Sequence, residues 1–309
     1  MLMILAALAV LLLTVYINHR IRLKREEPLL TPLGSIVNVE GESLSVYNEG
    51  EGEKTLLFMS GSGTCSPILD FKSLYSLLSD DYKIAVIEKN GYGFSGISDR
   101  SRDIDTVLSD TRAALSAAGL EAPYVLCPHS MSGIEALYWA QKYPEEIEAI
   151  IGLDMAVPGY YEKMKISVPV LRLGQLGAGL GVTRLIPGLA DGDAVKYGTL
   201  TDKEKEIYRA LFYSRTASEP MIMEAMTIKD SAKKVAAGDR PDIRSLLFIS
   251  DGSGGTGFSE ADWRRIPREY FGGADSIFIE LDCPHYVHDH EYERIAGEIK
   301  KFLEDKSED

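Results

Sequence analysis

The 309-residue chain predicts an α/β fold: a mostly parallel sheet, broken by a helical insert and preceded by one transmembrane helix. Three observations lead there. Short apolar runs rich in Val, Ile and Leu alternate with amphipathic stretches of helical spacing, the pattern of a sheet covered on both faces. The alternation stops between Met155 and about Asp239, where helix-like stretches lack a convincing strand, and then resumes. The segment Met1 to Ile17 carries no charge.

In chain order, Ser35 to Glu40 and Ser43 to Tyr47 read as a hairpin turning near Gly41. Thr55 to Met59 is a buried strand feeding the loop Ser60-Gly61-Ser62-Gly63. Pro67 to Leu78 has helical spacing, Lys83 to Ile87 is a strand, and Asn90 to Gly93 is rich in turn residues. Asp105 to Leu120 reads as a helix, Tyr124 to Cys127 as a strand, Ser132 to Tyr143 as a helix ended by Pro144, and Ile147 to Leu153 as a strand. The insert holds helices over Asp202 to Phe212 and Glu219 to Ala236. Leu246 to Ile249 and Ser276 to Leu281 are strands, with helices near Ala261 to Phe271 and Glu291 to Leu303. The division is a membrane anchor (1–18), a basic juxtamembrane linker (19–34), two parts of a core (35–156 and 241–309) and a helical cap (157–240) over the strand ends, where open sheets bind ligands. Leu171, Leu173, Leu176, Leu180, Leu185, Ile186 and Leu189 are expected to line an apolar acyl pocket in the cap.

About 17 uncharged residues lie at the lower limit for a bilayer-spanning helix. The basic cluster Arg20, Arg22, Lys24 and Arg25 follows the apolar run, which has no basic n-region and no A-x-A at its end, so an anchor fits better than a cleaved signal. With these cations C-terminal to the span, the positive-inside rule leaves the domain on the cytoplasmic side. The net charge is −14. Setting the four cations aside leaves 29 basic against 47 acidic residues, a surface that repels phosphate backbones and excludes nucleic acid as a partner. Cys65, Cys127 and Cys283 form neither a disulfide framework nor a zinc motif, and none has a local activator.

The informative segment is Tyr124 to Gly133, YVLCPHSMSG, in which a strand runs into Ser130 and a helix leaves at once. A tight strand-to-helix turn exposes the serine hydroxyl and aims the helix N-terminus, with the Met131 N–H, at a developing oxyanion. His129-Ser130-Met131-Ser132-Gly133 resembles the nucleophile elbow of the α/β-hydrolase family, with Pro128 and Ser132 replacing the two glycines of G-x-S-x-G. Ser132 as nucleophile would put Ile134 where a small residue is needed. The segment from Met59 to Gly63 is similar to the family's H-G-x-G loop, which implies Ser62 N–H as a second oxyanion donor. The segment from Glu88 to Ser95 resembles the D-x-x-G-x-G-x-S turn. Asp282 to His288 resembles G-H-x-x-H, which implies His285 as base and His288 behind it.

The resemblance implies a serine hydrolase that cleaves a small or lipid-like acyl ester without cofactor or metal. His285, His288 and His290 have no acidic ligand spaced for zinc. The family's usual acid follows the strand Leu246 to Ile249, but that alignment puts Gly254 at the acid position. Asp251 is nearby. Asp154, after the strand Ile147 to Leu153, is preferred, because some haloalkane dehalogenases carry their acid there. Two other readings stay open. One is an aminopeptidase or amidase of the proline-iminopeptidase type, with Glu204, Glu206, Glu219 or Glu224 gripping an ammonium. The other is a non-catalytic binding protein on the same fold.

Overall fold

In a computed structural model, which describes residues 1–272 and 275–304, the hairpin is β1 (Ser35–Val39) and β2 (Glu42–Glu49). Glu40 and Gly41 both take positive φ, 50° and 91°, as a two-residue turn matched to strand twist requires. β3 (Thr55–Met59), β4 (Lys83–Glu88), β5 (Tyr124–Pro128), β6 (Ile147–Leu153), β7 (Ser245–Ile249) and β8 (Ser276–Glu280) complete an eight-stranded sheet, ordered β1-β2-β4-β3-β5-β6-β7-β8. β2 is antiparallel to β1 and β4; the other pairs are parallel. Every residue of β3, β5 and β7 is buried, because helices cover both faces.

The helices are α1 (Leu2–Glu26), α2 (Pro67–Asp70), α3 (Lys72–Tyr75), α4 (Ile104–Ala117), α5 (Ser132–Lys142), α6 (Pro158–Lys163), α7 (Val168–Gly179), α8 (Asp193–Lys196), α9 (Asp202–Arg215), α10 (Glu219–Ala237), α11 (Glu260–Phe271), α12 (Val287–His290) and α13 (Tyr292–Glu304). The helix expected over Pro67 to Leu78 divides at the fully buried Phe71 into α2 and α3. The insert is helical, as expected, with α6, α7 and α8 in addition to the two helices read from sequence.

Two details go beyond the sequence reading. Within the basic juxtamembrane stretch 19–34, α1 runs unbroken to Glu26, with His19 buried and Arg184 forming a bidentate pair with Glu26. The cap leucines expected around an acyl pocket are mostly turned to the surface. Leu173, Leu176, Leu185, Ile186 and Leu189 are exposed, and Leu171 and Leu180 are half-buried. Helical spacing reveals that a helix has an apolar side; which neighbour that side meets is a tertiary matter.

The cap is pinned to the core by a buried ionic cluster. Lys89, after β4, and Arg102, before α4, both bond Glu224 on α10, and Glu135 of α5 lies 3.8 Å from Lys89. Ser218 Oγ and Arg215 Nε also donate to the carbonyls of Gly91 and Gly93.

Candidate active site

Parallel pairing sets Met59 beside Pro128, so the loops leaving β3 and β5 meet at one end of the sheet. There Ser130 has φ 54°, a left-handed conformation that costs a non-glycine residue energy and marks the sharp turn from β5 into α5. Ser132 Oγ donates to the carbonyls of Met59 and His129, and the His129 N–H donates to Met59 O at 2.9 Å, so the turn is tied from both sides. Gly61 fits because it has no side chain: a Cβ there would lie 2.7 Å from Ser130 Cβ and 3.2 Å from His129 Nδ1. Met131 and Ser62 N–H groups have no backbone acceptor among the described residues. The close approach of Gly61 escaped the sequence reading, although its place in the glycine loop was the available signal.

Ser130 Oγ lies 2.8 Å from His285 Nε2, and His285 Nδ1 lies 2.6 Å from Asp154 Oδ2. Asp154 is buried and also at positive φ, 51°. Its carboxylate accepts the Ser250 N–H and the Trp263 Nε1–H on Oδ1, at 2.7 and 2.8 Å, and the Ser250 hydroxyl on Oδ2 at 2.7 Å. Neither Ser250 nor Trp263 was singled out in the sequence, since each comes from beyond the insert. Asp251 does not reach His285; its carboxylate accepts the Ser253 N–H at 2.7 Å, and its own N–H donates to Cys283 O. Gly254 touches the histidine loop, where a Cβ would sit 3.1 Å from Pro284 Cβ and 3.2 Å from His285 N. A side chain does not fit there without movement.

His129 is fully enclosed and Nε2 lies 3.2 Å from the His285 carbonyl, which can only accept. Burial first, then the neighbouring His285 and His288, hold its pKa well below the ordinary imidazole range, so it stays neutral. It fixes the backbone of the histidine loop and carries no charge into the site.

His288 accompanies Asp70 (Nε2 to Oδ2, 3.1 Å), and Asp289 adjoins them; all three are fully buried, with ligand-type atoms within 4.8 Å. This is the one such group among the described residues, and Asp289 has no hydrogen-bond partner for either oxygen. It excludes His285 and His290, the latter 3.2 Å from Asp193. Asp70 comes from 218 residues away, a pairing that no local spacing announces.

All three cysteines are free and buried. Burial pushes the thiols of Cys65 and Cys283 up to about 11 and about 12, so neither supplies a thiolate near neutral pH. Beside Met131, a cavity of about 20 Å³ is lined by Lys89, Arg102, Glu135 and Glu224; it has room for about one water, not a substrate.

The chain is 44% identical over 251 residues to the uncharacterized protein YbdG of Bacillus subtilis (strain 168), which covers 79% of this chain and 77% of YbdG. Among solved structures, epoxide hydrolase VrEH1 from Vigna radiata superposes with TM-score 0.66 at 18% identity, covering 88% of this chain and 98% of its own. The enol-lactonase from Burkholderia xenovorans LB400 gives TM-score 0.62 at 17% identity, covering 88% and 100%. The chain has the fold that these structures share, that of the α/β-hydrolases. No protein-family model matches it. The fold accounts for the sheet order and for the meeting of the β5, β6 and β8 loops; what the site does must be argued from its own residues.

Proposed function

We propose that the protein is a membrane-tethered serine hydrolase that cleaves a carboxylic ester through an acyl-enzyme. The relay from Ser130 through His285 to Asp154, two contacts of 2.8 and 2.6 Å, carries the reading. Asp154 accepts a proton-bearing Nδ1, which leaves Nε2 with its lone pair toward the Ser130 hydroxyl. As Oγ attacks the acyl carbon, Nε2 takes its proton and Asp154 stabilises the imidazolium. The oxyanion forms against Met131 N–H at the start of α5, with Ser62 N–H as second donor. Nε2 then protonates the departing alkoxide. Water then gives a proton to Nε2 as its oxygen attacks the acyl carbon, the acyl–Oγ bond breaks, and Nε2 returns the proton to Oγ, which releases the acid and restores Ser130. The residues ask for no cofactor or metal.

The anchor is α1, long and apolar enough to cross a membrane, with its cations on the domain side favouring a cytoplasmic domain. The amidase alternative is weaker, because its carboxylates are engaged or turned outward. Glu224 is held by Lys89 and Arg102, Glu204 by Lys72 and its own capping box, Glu219 by Arg172, and Glu206 is exposed. A non-catalytic role leaves the strain at Ser130 without a use.

The test is covalent labelling by a fluorophosphonate, with turnover of nitrophenyl esters of increasing chain length beside aminoacyl anilides. Wild type should label and prefer an ester; Ser130→Ala should lose labelling and at least about a thousandfold in turnover while keeping its fold. Labelling that survives in Ser130→Ala would defeat the assignment.

A further inference from the structure

We infer that the segment Val168–Leu189 of the cap is a lipid-facing surface, lying in the headgroup region of the bilayer that α1 enters. The inference rests on reading α1 as an anchor and adds which face of the domain meets the membrane.

Half of the exposed large apolar side chains that follow α1, among the described residues, fall within this one segment. On α7, Val170, Leu173 and Leu176 recur every third residue, and Val170 and Leu173 are 65% and 68% exposed. Of α7 only Ala178 is buried. After the next turn come the exposed Leu185, Ile186 and Leu189. A soluble surface rarely collects this much apolar area without a partner.

The charge of the same stretch points to the partner. The protein carries a net −14, yet from Lys163 to Ala190 there is no Asp or Glu; of the four cations there, Arg184 turns inward to Glu26, Arg172 pairs with Glu219 and Lys163 lies 3.9 Å from Asp262, which leaves Lys165. An exposed apolar stretch with no carboxylate of its own, in an otherwise acidic protein, suits the boundary between phospholipid headgroups and acyl chains.

The position of α1 supplies the third argument. The 3-10 turn Val182–Leu185, joining α7 to these last apolar residues, grips the end of α1. Gly181 lies against His19 so closely that a Cβ would meet His19 Cβ at 2.4 Å. Arg184 donates to His19 Nδ1 at 2.9 Å and to both Glu26 oxygens, and its guanidinium stacks 3.8 Å over Tyr213. The cap segment and the helix exit are therefore one rigid feature. A helix of about 17 apolar residues is about 25 Å long at 1.5 Å per residue, short of a hydrocarbon core of about 30 Å. The bilayer must thin toward the clamp, or Leu185 and Ile186, next to Arg184, must approach its boundary.

The experiment uses the full chain in phosphatidylglycerol–phosphatidylcholine vesicles. An environment-sensitive fluorophore is placed on Leu173→Cys and Leu189→Cys, with Ile277→Cys on edge strand β8 as control; the native cysteines are buried. Flotation reports the anchor, and quenching by nitroxide lipids reports the surface. Expected are flotation of all three proteins, with blue-shifted, nitroxide-quenched emission at 173 and 189 and none at 277. Flotation with unquenched labels at 173 and 189 overturns the inference and leaves the anchor standing. A blue shift that nitroxide lipids do not quench also overturns it, since protein then covers the face. Failure to float removes the anchor and the lipid-facing surface together.

Discussion

Replacing Asp154 by Asn tests the proposed relay most sharply, because the surrounding donors dictate how the amide must sit. Oδ1 receives two fixed N–H groups, from Ser250 and Trp263, while Oδ2 faces His285 Nδ1 and the Ser250 hydroxyl. If the Asn oxygen took the Oδ2 place, its NH2 would confront two N–H donors that cannot accept. Each buried donor left unpaired costs about 1–3 kcal/mol, so this orientation is disfavoured by about 2–6 kcal/mol. The opposite orientation keeps both N–H bonds, and the Ser250 hydroxyl rotates to accept. Its NH2 then points at His285 Nδ1, which must be the bare nitrogen, and the proton moves to Nε2. Ser130 then faces an N–H instead of a base. Loss of the correct tautomer costs up to about ten-thousandfold in turnover, about 5 kcal/mol of barrier. Turnover of a nitrophenyl ester by Asp154→Asn and Asp251→Asn, at matched folded fractions, measures it. A nearly normal Asp154→Asn beside a crippled Asp251→Asn would refute the reasoning and return the acid to the family's usual loop.

Two stability measurements address the scaffold. Glu88, fully buried beneath the turn after β4, has its carboxyl raised from 4.5 to about 7, first by burial, although Phe94 and Ile68 N–H groups oppose the shift. Because the folded-state value is the higher, its contribution is fully present below the unfolded value and is lost as pH rises through about 7. Denaturant melts should show wild type losing about 3 kcal/mol more than Glu88→Gln between pH 4 and pH 8; parallel curves would contradict this. Glu224→Gln, which leaves Lys89 and Arg102 buried without their carboxylate, should cost about 3–5 kcal/mol in the same assay, and a loss below about 1 kcal/mol would show that the cluster does not hold the cap.

The proposed nucleophile and base are legible because each belongs to a local pattern. A strand that ends at Pro128 and a helix that starts at Ser132 need only their own residues to form the turn at Ser130, and His285 follows a strand end in the same way. The succession of strands along the chain, the hairpin and the helical nature of the insert are likewise carried by apolar period and turn residues, whereas the order of the strands in the sheet is not. Asp154 was preferred over Asp251 by analogy and by the glycine at 254, while the partners that orient its carboxylate, Ser250 and Trp263, were not visible. They lie 96 and 109 residues away, and their meeting depends on β6 pairing with β7 and on α11 packing beside them. The cap shows the same division. Its leucines announced helices, but an apolar side chain satisfies the same period whether it faces a core, a pocket or a membrane. Only the packing of the cap decided that several face outward. Sequence by itself determined what each segment becomes, because hydrogen-bond period and turn chemistry act over a few residues. Tertiary structure decided which segments share a surface, because burial and ion pairing join residues that the chain holds far apart.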